Sequence, residues 1–151
     1  MPSRPGRVVP GALVWSSLGL ALVILVVSAY LTYEHFSSSA TLACPEGQVL
    51  NCARVTESEW AMVGPVPVAV LGLVFAVAMV ALCLPAAWRR VELDVVRLGA
   101  AAAGVAMVLY LVWAELFAIH AICLWCTVVH VATVALFAVL VVGRALLPTR
   151  R

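Results

Sequence analysis

Residues 123–143 read CLWCTVVHVATVALFAVLVVG: two cysteines three positions apart, at the head of an uncharged run long enough to cross a bilayer as a helix. On a helix, positions three apart share a face, so Cys123 and Cys126 lie within reach of each other and of one attacking group. The unpaired N–H groups of a first helical turn favour a nearby negative charge and so raise a thiol's thiolate fraction. The stretch suits dithiol–disulfide exchange. Taken alone it fits two buried, inert cysteines equally well, because free cysteine packs readily in apolar interiors.

The setting of this stretch is strongly apolar. Of 151 residues, 66% are hydrophobic and 11% charged, with a mean hydropathy of +1.15. An ordinary soluble domain has about half its residues apolar and about a quarter charged, so the composition is that of an integral membrane protein. The net charge of +2 carries no nucleic-acid footprint.

Outward from Cys123, the chain from Leu98 to Gly143 holds a single charged side chain, Glu115. That length fits two spans, 98–119 and 123–143, folded back at about His120 to Ile122, although no glycine or proline marks the turn. Before them, Arg89, Arg90, Glu92, Asp94 and Arg97 form a short charged connection, preceded by an uncharged run that gives a span over 66–88. Pro65 and Pro67 open it, and proline costs little in a first helical turn because its missing N–H would be unpaired anyway. The first span is placed at 10–31, after Arg4 and Arg7. Its basic start and the small residues at Ser37 to Ala40 also resemble a secretory signal peptide. The apolar run exceeds the roughly 7 to 15 residues of a signal core, which favours a retained anchor.

The expected fold is therefore an all-α, four-transmembrane-helix bundle forming one domain over 1–151. Its polar loop, 32–64, carries Cys44 and Cys52. Pro45, Gly47 and Asn51 give the loop an irregular, movable course, and Ala53 to Trp60 is read as a short interfacial helix anchored by Trp60. Every arginine except Arg54 falls on the N-terminal arm, the 89–97 connection or the C-terminal tail. The positive-inside rule then sets both termini in the cytoplasm and the cysteine loop outside the plasma membrane. The turn before Cys123 reaches the same outer face, so two cysteine pairs meet where disulfides form and persist. A structural zinc site fits poorly, since such sites pair closely spaced knuckles and seven residues separate Cys44 from Cys52. Thr127 stands where haem attachment needs histidine. Cys83, far from the others, reads as packing.

The pair Cys44 and Cys52, the run Asn51-Cys52-Ala53-Arg54-Val55 with Ser58, then Gly64-Pro65-Val66-Pro67-Val68-Ala69, Leu71-Gly72-Leu73 and Cys123-Leu124-Trp125-Cys126 together resemble the vitamin K epoxide reductase family. The resemblance implies a membrane bundle that exchanges electrons between a quinone, of menaquinone or ubiquinone type, and a thioredoxin-like protein. By position, Cys44 would meet the partner, Cys52 would attack Cys123, and Cys126 would face the quinone. Ser58 matches a hydroxyl residue of the segment that covers the quinone pocket in the family. No thioredoxin-like domain follows the last span, which implies a separate extracytoplasmic, DsbA-type thiol oxidase as partner. Each transfer between cysteines passes through a mixed disulfide, so the loop has to move.

His130 lies one turn beyond Cys126 on the same face, and ionisable residues inside spans are costly and often functional. Vertebrate members of the family place a tyrosine at this offset. Histidine in its place either bonds a quinone oxygen or supplies a proton, or else makes an ordinary helix contact. Glu115 and His120 read as solvated boundary residues, Trp88, Trp113 and Trp125 as interface anchors, and Gly99 to Gly104 as a small-residue contact for close helix approach. The leading functional reading is an enzyme that reoxidises the partner and passes electrons to quinone, supporting disulfide formation. Two others are open: reduction of a quinone or vitamin K epoxide driven by thiols, and a tetraspan assembly protein with structural disulfides only.

Overall fold

A computed structural model describes residues 9–37, 44 and 47–146, and the chain is mostly helical. Helix α1 runs Gly11–Phe36, the short α2 Cys52–Thr56, α3 Val68–Cys83, α4 Glu92–Trp113 and α5 Leu124–Leu146. Three helical stretches, Gly11–Phe36, Glu92–Ile119 and Leu124–Ala145, are long and apolar enough to cross a membrane. The fourth long helix, α3, is apolar throughout but has 16 residues. At 1.5 Å per residue it reaches about 24 Å. Arg4, Arg7, Arg150, Arg151, Pro45 and the small residues 38–40 lie outside the described residues.

The long helices close into a ring in which α1 packs on α3 and α5, and α4 on α3 and α5. Neighbours run antiparallel. Gly143 near the end of α5 lies over Leu13 at the start of α1, while Tyr30 meets Trp125 edge-on at 5.2 Å at the other end. The core holds Leu18, Ile24, Met79 and Leu136, whereas Val26, Val74, Leu109 and Val131 stand exposed on the outer faces. Apolar side chains both inside and outside are what a lipid-facing bundle requires. Gly104 supplies the close approach expected of the Gly99–Gly104 stretch: a Cβ there would meet the Phe75 ring at 2.6 Å and Thr133 at 3.1 Å. Gly99 meets nothing within 4 Å, so the contact is made by one end of that stretch.

The second span is shorter than the expected 66–88, for a local reason. Val66 and Pro67 belong to a two-stranded hairpin with Met62 and Val63, turned at Gly64 with φ 60°, a conformation that favours glycine. At the other end α3 stops at Cys83, just before Pro85. Its last carbonyls find side-chain donors: Arg97 Nε donates to Leu82 O at 2.8 Å, and Trp88 Nε1 to Cys83 O at 3.2 Å. The Arg97 guanidinium lies 3.9 Å over the Trp88 ring and 2.9 Å from Asp94. Arg97 is thus 2% exposed and Trp88 5%. This corrects two expectations, that Arg97 belongs to a charged connection between spans and that Trp88 is an interface anchor. The helix in fact begins at Glu92, where Glu92 and Asp94 complement the positive end of the α4 dipole.

Candidate active site

The turn between α4 and α5 lies where the length argument put it, and it is built without glycine. The last turn of α4 widens into a π-helix over Ala114–Ile119, and His120 takes the left-handed conformation, φ 54° and ψ 37°. The N–H groups of His120 and Ala121 both return to the Glu115 carbonyl. Ile122 then pairs with the loop as a parallel bridge: Ile122 N–H donates to Val49 O at 2.8 Å, and Asn51 N–H to Ile122 O at 3.1 Å. Those two bonds fix the loop segment beside the start of α5. Directly after it, Asn51 caps α2 through its side chain, which accepts from Arg54 N–H at 2.9 Å. The end of each strand of the bridge therefore delivers a cysteine, Cys52 from one side and Cys123 from the other.

Cys52, 1% exposed, and Cys123, fully buried, belong to one apolar cluster with Val55, Ala114, Ile119 and Ala121. Cys44 and Cys126 pack against its edge. Cys44 and Cys52 are joined as a disulfide, with their Cα atoms 6.1 Å apart, while Cys123 and Cys126 are free thiols. Cys83 is buried in the separate core to which all four long helices contribute, as a packing residue would be.

Cys123 occupies the residue before α5, and its sulfur accepts the Cys126 N–H at 3.3 Å, in the manner of an N-cap side chain. Its pKa is lowered from the ordinary thiol value, first by the hydrogen bond from the Cys126 thiol and, after the opposing effect of burial, by the Cys126 N–H. Cys123 is thereby the sulfur of the pair better placed to carry negative charge. Cys126, one helical turn on, faces a cavity of about 330 Å³ enclosed by all four long helices and by residues 55–61. The walls are almost wholly apolar, from Leu31, Val68, Leu71, Phe75, Met107, Leu111 and Val129 among others. The polar groups reaching it are Ser28, His35, Thr56, Ser58, Glu115, His130 and Thr133, with Cys126.

A family model described as the Vitamin K epoxide reductase family matches residues 15–141. The chain belongs to this family. No curated protein matches the chain. As a member of the vitamin K epoxide reductase family it is a membrane protein and a thiol-based oxidoreductase, and proteins of the family use quinones as electron acceptors.

In this family member, the four cysteines share one cluster, and Ser58 and His130 both line the cavity that Cys126 faces. The Ser58 hydroxyl donates to Val55 O at 2.7 Å. His130 is buried, a turn below Cys126. Residues 53–60 form not one helix but α2 followed by a 3₁₀ turn at Glu59–Ala61. Trp60 sits in the cavity wall with its ring edge-on to Trp113 at 5.6 Å, and Trp113 is exposed, as an interfacial aromatic should be. His120 is exposed, as expected of a boundary residue.

Glu115 departs from its expected place at the solvated boundary. It is 5% exposed, lines the cavity, and its carboxylate accepts the backbone N–H of Cys123. The π-turn of Ala114–Ile119 rotates it inward, away from the boundary its sequence position suggests. A signal was present: it is the single charge between Leu98 and Gly143. Among the described residues, no group of three or more His, Cys, Asp or Glu side chains is disposed to hold a metal ion.

Proposed function

We propose that this protein oxidises an extracytoplasmic, thioredoxin-like (DsbA-type) thiol oxidase and passes the electrons to a membrane quinone, thereby supporting disulfide formation in exported proteins. The observation carrying this reading is the position of Cys126. It belongs to the buried cysteine cluster on one side and faces a large apolar cavity on the other.

A reduced partner thiolate attacks Cys44 and releases the Cys52 thiolate, and the partner's second thiol closes its own disulfide and frees Cys44. Cys52 attacks Cys123 of the oxidised inner pair and releases Cys126; Cys44 then attacks Cys52, re-forming the outer disulfide and leaving Cys123 and Cys126 as a dithiol. The parallel bridge at Leu50 and Ile122 keeps Cys52 beside Cys123 for that exchange. The cavity suits a quinone ring: its lining is almost wholly apolar, His130 brings a ring N–H able to donate to a quinone oxygen, and Ser58 would do so on turning its hydroxyl from Val55 O. A quinone there supplies an acceptor for two electrons and two protons. Cys126 is the sulfur placed to face it, and Cys123, the thiolate-bearing partner, closes the disulfide on Cys126 as the electrons leave.

The reading includes a single membrane domain of four spans, with α3 as the shortest. It sets both termini in the cytoplasm and the cysteine end outward, on the charge distribution of the sequence. Quinone reduction by purified protein, supplied with a reduced thioredoxin-like partner, tests the function. Turnover in the wild type and its loss in Cys126→Ala and Cys44→Ala is the expected result. Wild-type protein inactive across several quinones and partners would favour an assembly protein with structural disulfides. Membrane-impermeant thiol reagents that reach Cys44, after reduction, only from the cytoplasmic side would overturn the orientation.

A further inference from the structure

Glu115 is a buried ionisable group to which thiol exchange alone gives no task. We propose that its carboxyl stores a proton for the Cys123–Cys126 pair, holding it while the pair is reduced and releasing it into the cavity when the pair becomes a disulfide. The inference rests on the quinone reading above and adds the route of the second proton.

The geometry carries the argument. The Glu115 carboxyl, 5% exposed, accepts the Cys123 N–H and lines the same cavity that Cys126 faces. Two anions in one buried site disfavour each other strongly, so a Cys123 thiolate and a Glu115 carboxylate exclude one another. In the reduced state the negative charge sits on Cys123, the thiol proton on Cys126 and a second proton on Glu115. Oxidation forms the Cys123–Cys126 bond and removes the thiolate. The two electrons leave to the acceptor together with the Cys126 proton and the Glu115 proton, and Glu115 is left as the carboxylate. Two electrons and two protons reach one quinone, which balances. The next exchange restores both protons from the partner's two thiols.

Among the described residues, no other charge from the packed elements takes this role. The α2 segment contributes Cys52, held in its disulfide, and its charged residues Arg54 and Glu57 are exposed, as is Glu59 after it. From α3 and the body of α4 the cavity receives apolar side chains only. His130 on α5 and His35 on α1 are the remaining titratable groups at the cavity.

The test uses Glu115→Gln, which keeps an acceptor for the Cys123 N–H and cannot carry the proton. Turnover with a short-chain quinone should fall on the order of 100-fold. The wild-type rate should decline as pH rises and Glu115 loses its proton, and that limb should vanish in the variant. A quinone-free readout separates this inference from the function it rests on. Infrared difference spectra are recorded as diamide oxidises the reduced inner pair. The wild type should lose a carboxylic-acid carbonyl band that Glu115→Gln lacks and Glu115→Asp, the second variant should Gln not fold, retains. Wild-type turnover with Glu115→Gln equally active and equally pH-dependent would overturn the proton store while sparing the quinone reading. A wild type that reduces no quinone would sink that reading, and the infrared band alone would then decide the proton store: its presence in both wild type and Glu115→Gln would reject it.

Discussion

The backbone N–H of Cys126 points at the sulfur of Cys123, 3.3 Å away, so the two thiols of one motif are chemically unequal. Cys123 is capped by the helix it precedes, whereas the Cys126 side chain faces an apolar cavity. Such inequality would give the proposed exchange its direction, with Cys123 on the side of the loop cysteines and Cys126 on the side of the cavity.

That inequality is measurable by alkylation. With the inner pair reduced, the pH midpoint for modification of Cys123 should lie below that of an ordinary cysteine thiol, about 8.5. Cys126→Ala removes the sulfur donor that contributes most to the lowering, so the midpoint should move upward. The sign for stability follows. A depressed thiol pKa contributes stability above the unfolded value, and this is lost as pH falls through the folded one. Mass-spectrometric alkylation rates across pH check the shift, and equal midpoints in the two proteins would refute it.

His130 shares the cavity with Cys126 one turn below it. His130→Ala should reduce kcat/KM for quinone about tenfold, the value of one hydrogen bond of about 1 kcal/mol with some lost packing. His130→Phe keeps bulk without the nitrogen, so a matching loss in both variants would isolate the polar contribution. Unchanged rates in both would leave His130 as a packing residue.

Gly104→Ala places a methyl against the Phe75 ring and Thr133, both of which line the cavity. Overpacking of this kind costs about 1–3 kcal/mol, and a lower Tm in detergent should accompany a raised KM for quinone. Gly99→Ala, with nothing within 4 Å, should instead hold or raise Tm, since alanine is the better helix former by about 1 kcal/mol. Thermal unfolding of the two variants side by side gives the comparison.

Arg97→Ala should be among the most destabilising changes at the end of the bundle opposite the cysteines. It removes the donor to Leu82 O, the ion pair with Asp94 and the cation over Trp88. Breaking a buried pair costs about 3–5 kcal/mol. Arg97→Lys should rescue little, because an ammonium lacks the planar face and the fork that make these contacts together. Retained thermal stability in Arg97→Lys would show that charge alone suffices there.

Much of this architecture was written in apolar runs and cysteine spacing. The long helices, the position of the fold-back before Cys123 and the meeting of two cysteine pairs all follow from length and pattern, and Ser58 and His130 reach the cavity. What stayed hidden were charges whose burial depends on distant partners. Arg97 reads as part of a charged connection until Leu82 and Trp88 are brought to it, and Glu115 resembles a boundary carboxylate until the π-turn that carries it is seen to bury it. The turn itself uses a left-handed histidine, His120, where sequence rules favour glycine. Each miss came from tertiary context overriding a local rule.

The shortness of α3 has its effect outside the protein. In the proposed four-span arrangement a hydrocarbon slab of about 30 Å exceeds a helix of about 24 Å, a mismatch taken up by thinned lipid or snorkelling flanking residues at a fraction of a kcal/mol per Å. Because Val68, Leu71 and Phe75 of α3 line the cavity, such a mismatch would bear directly on its wall. Acyl-chain length becomes a physical variable of the site: thicker bilayers strain this flank first.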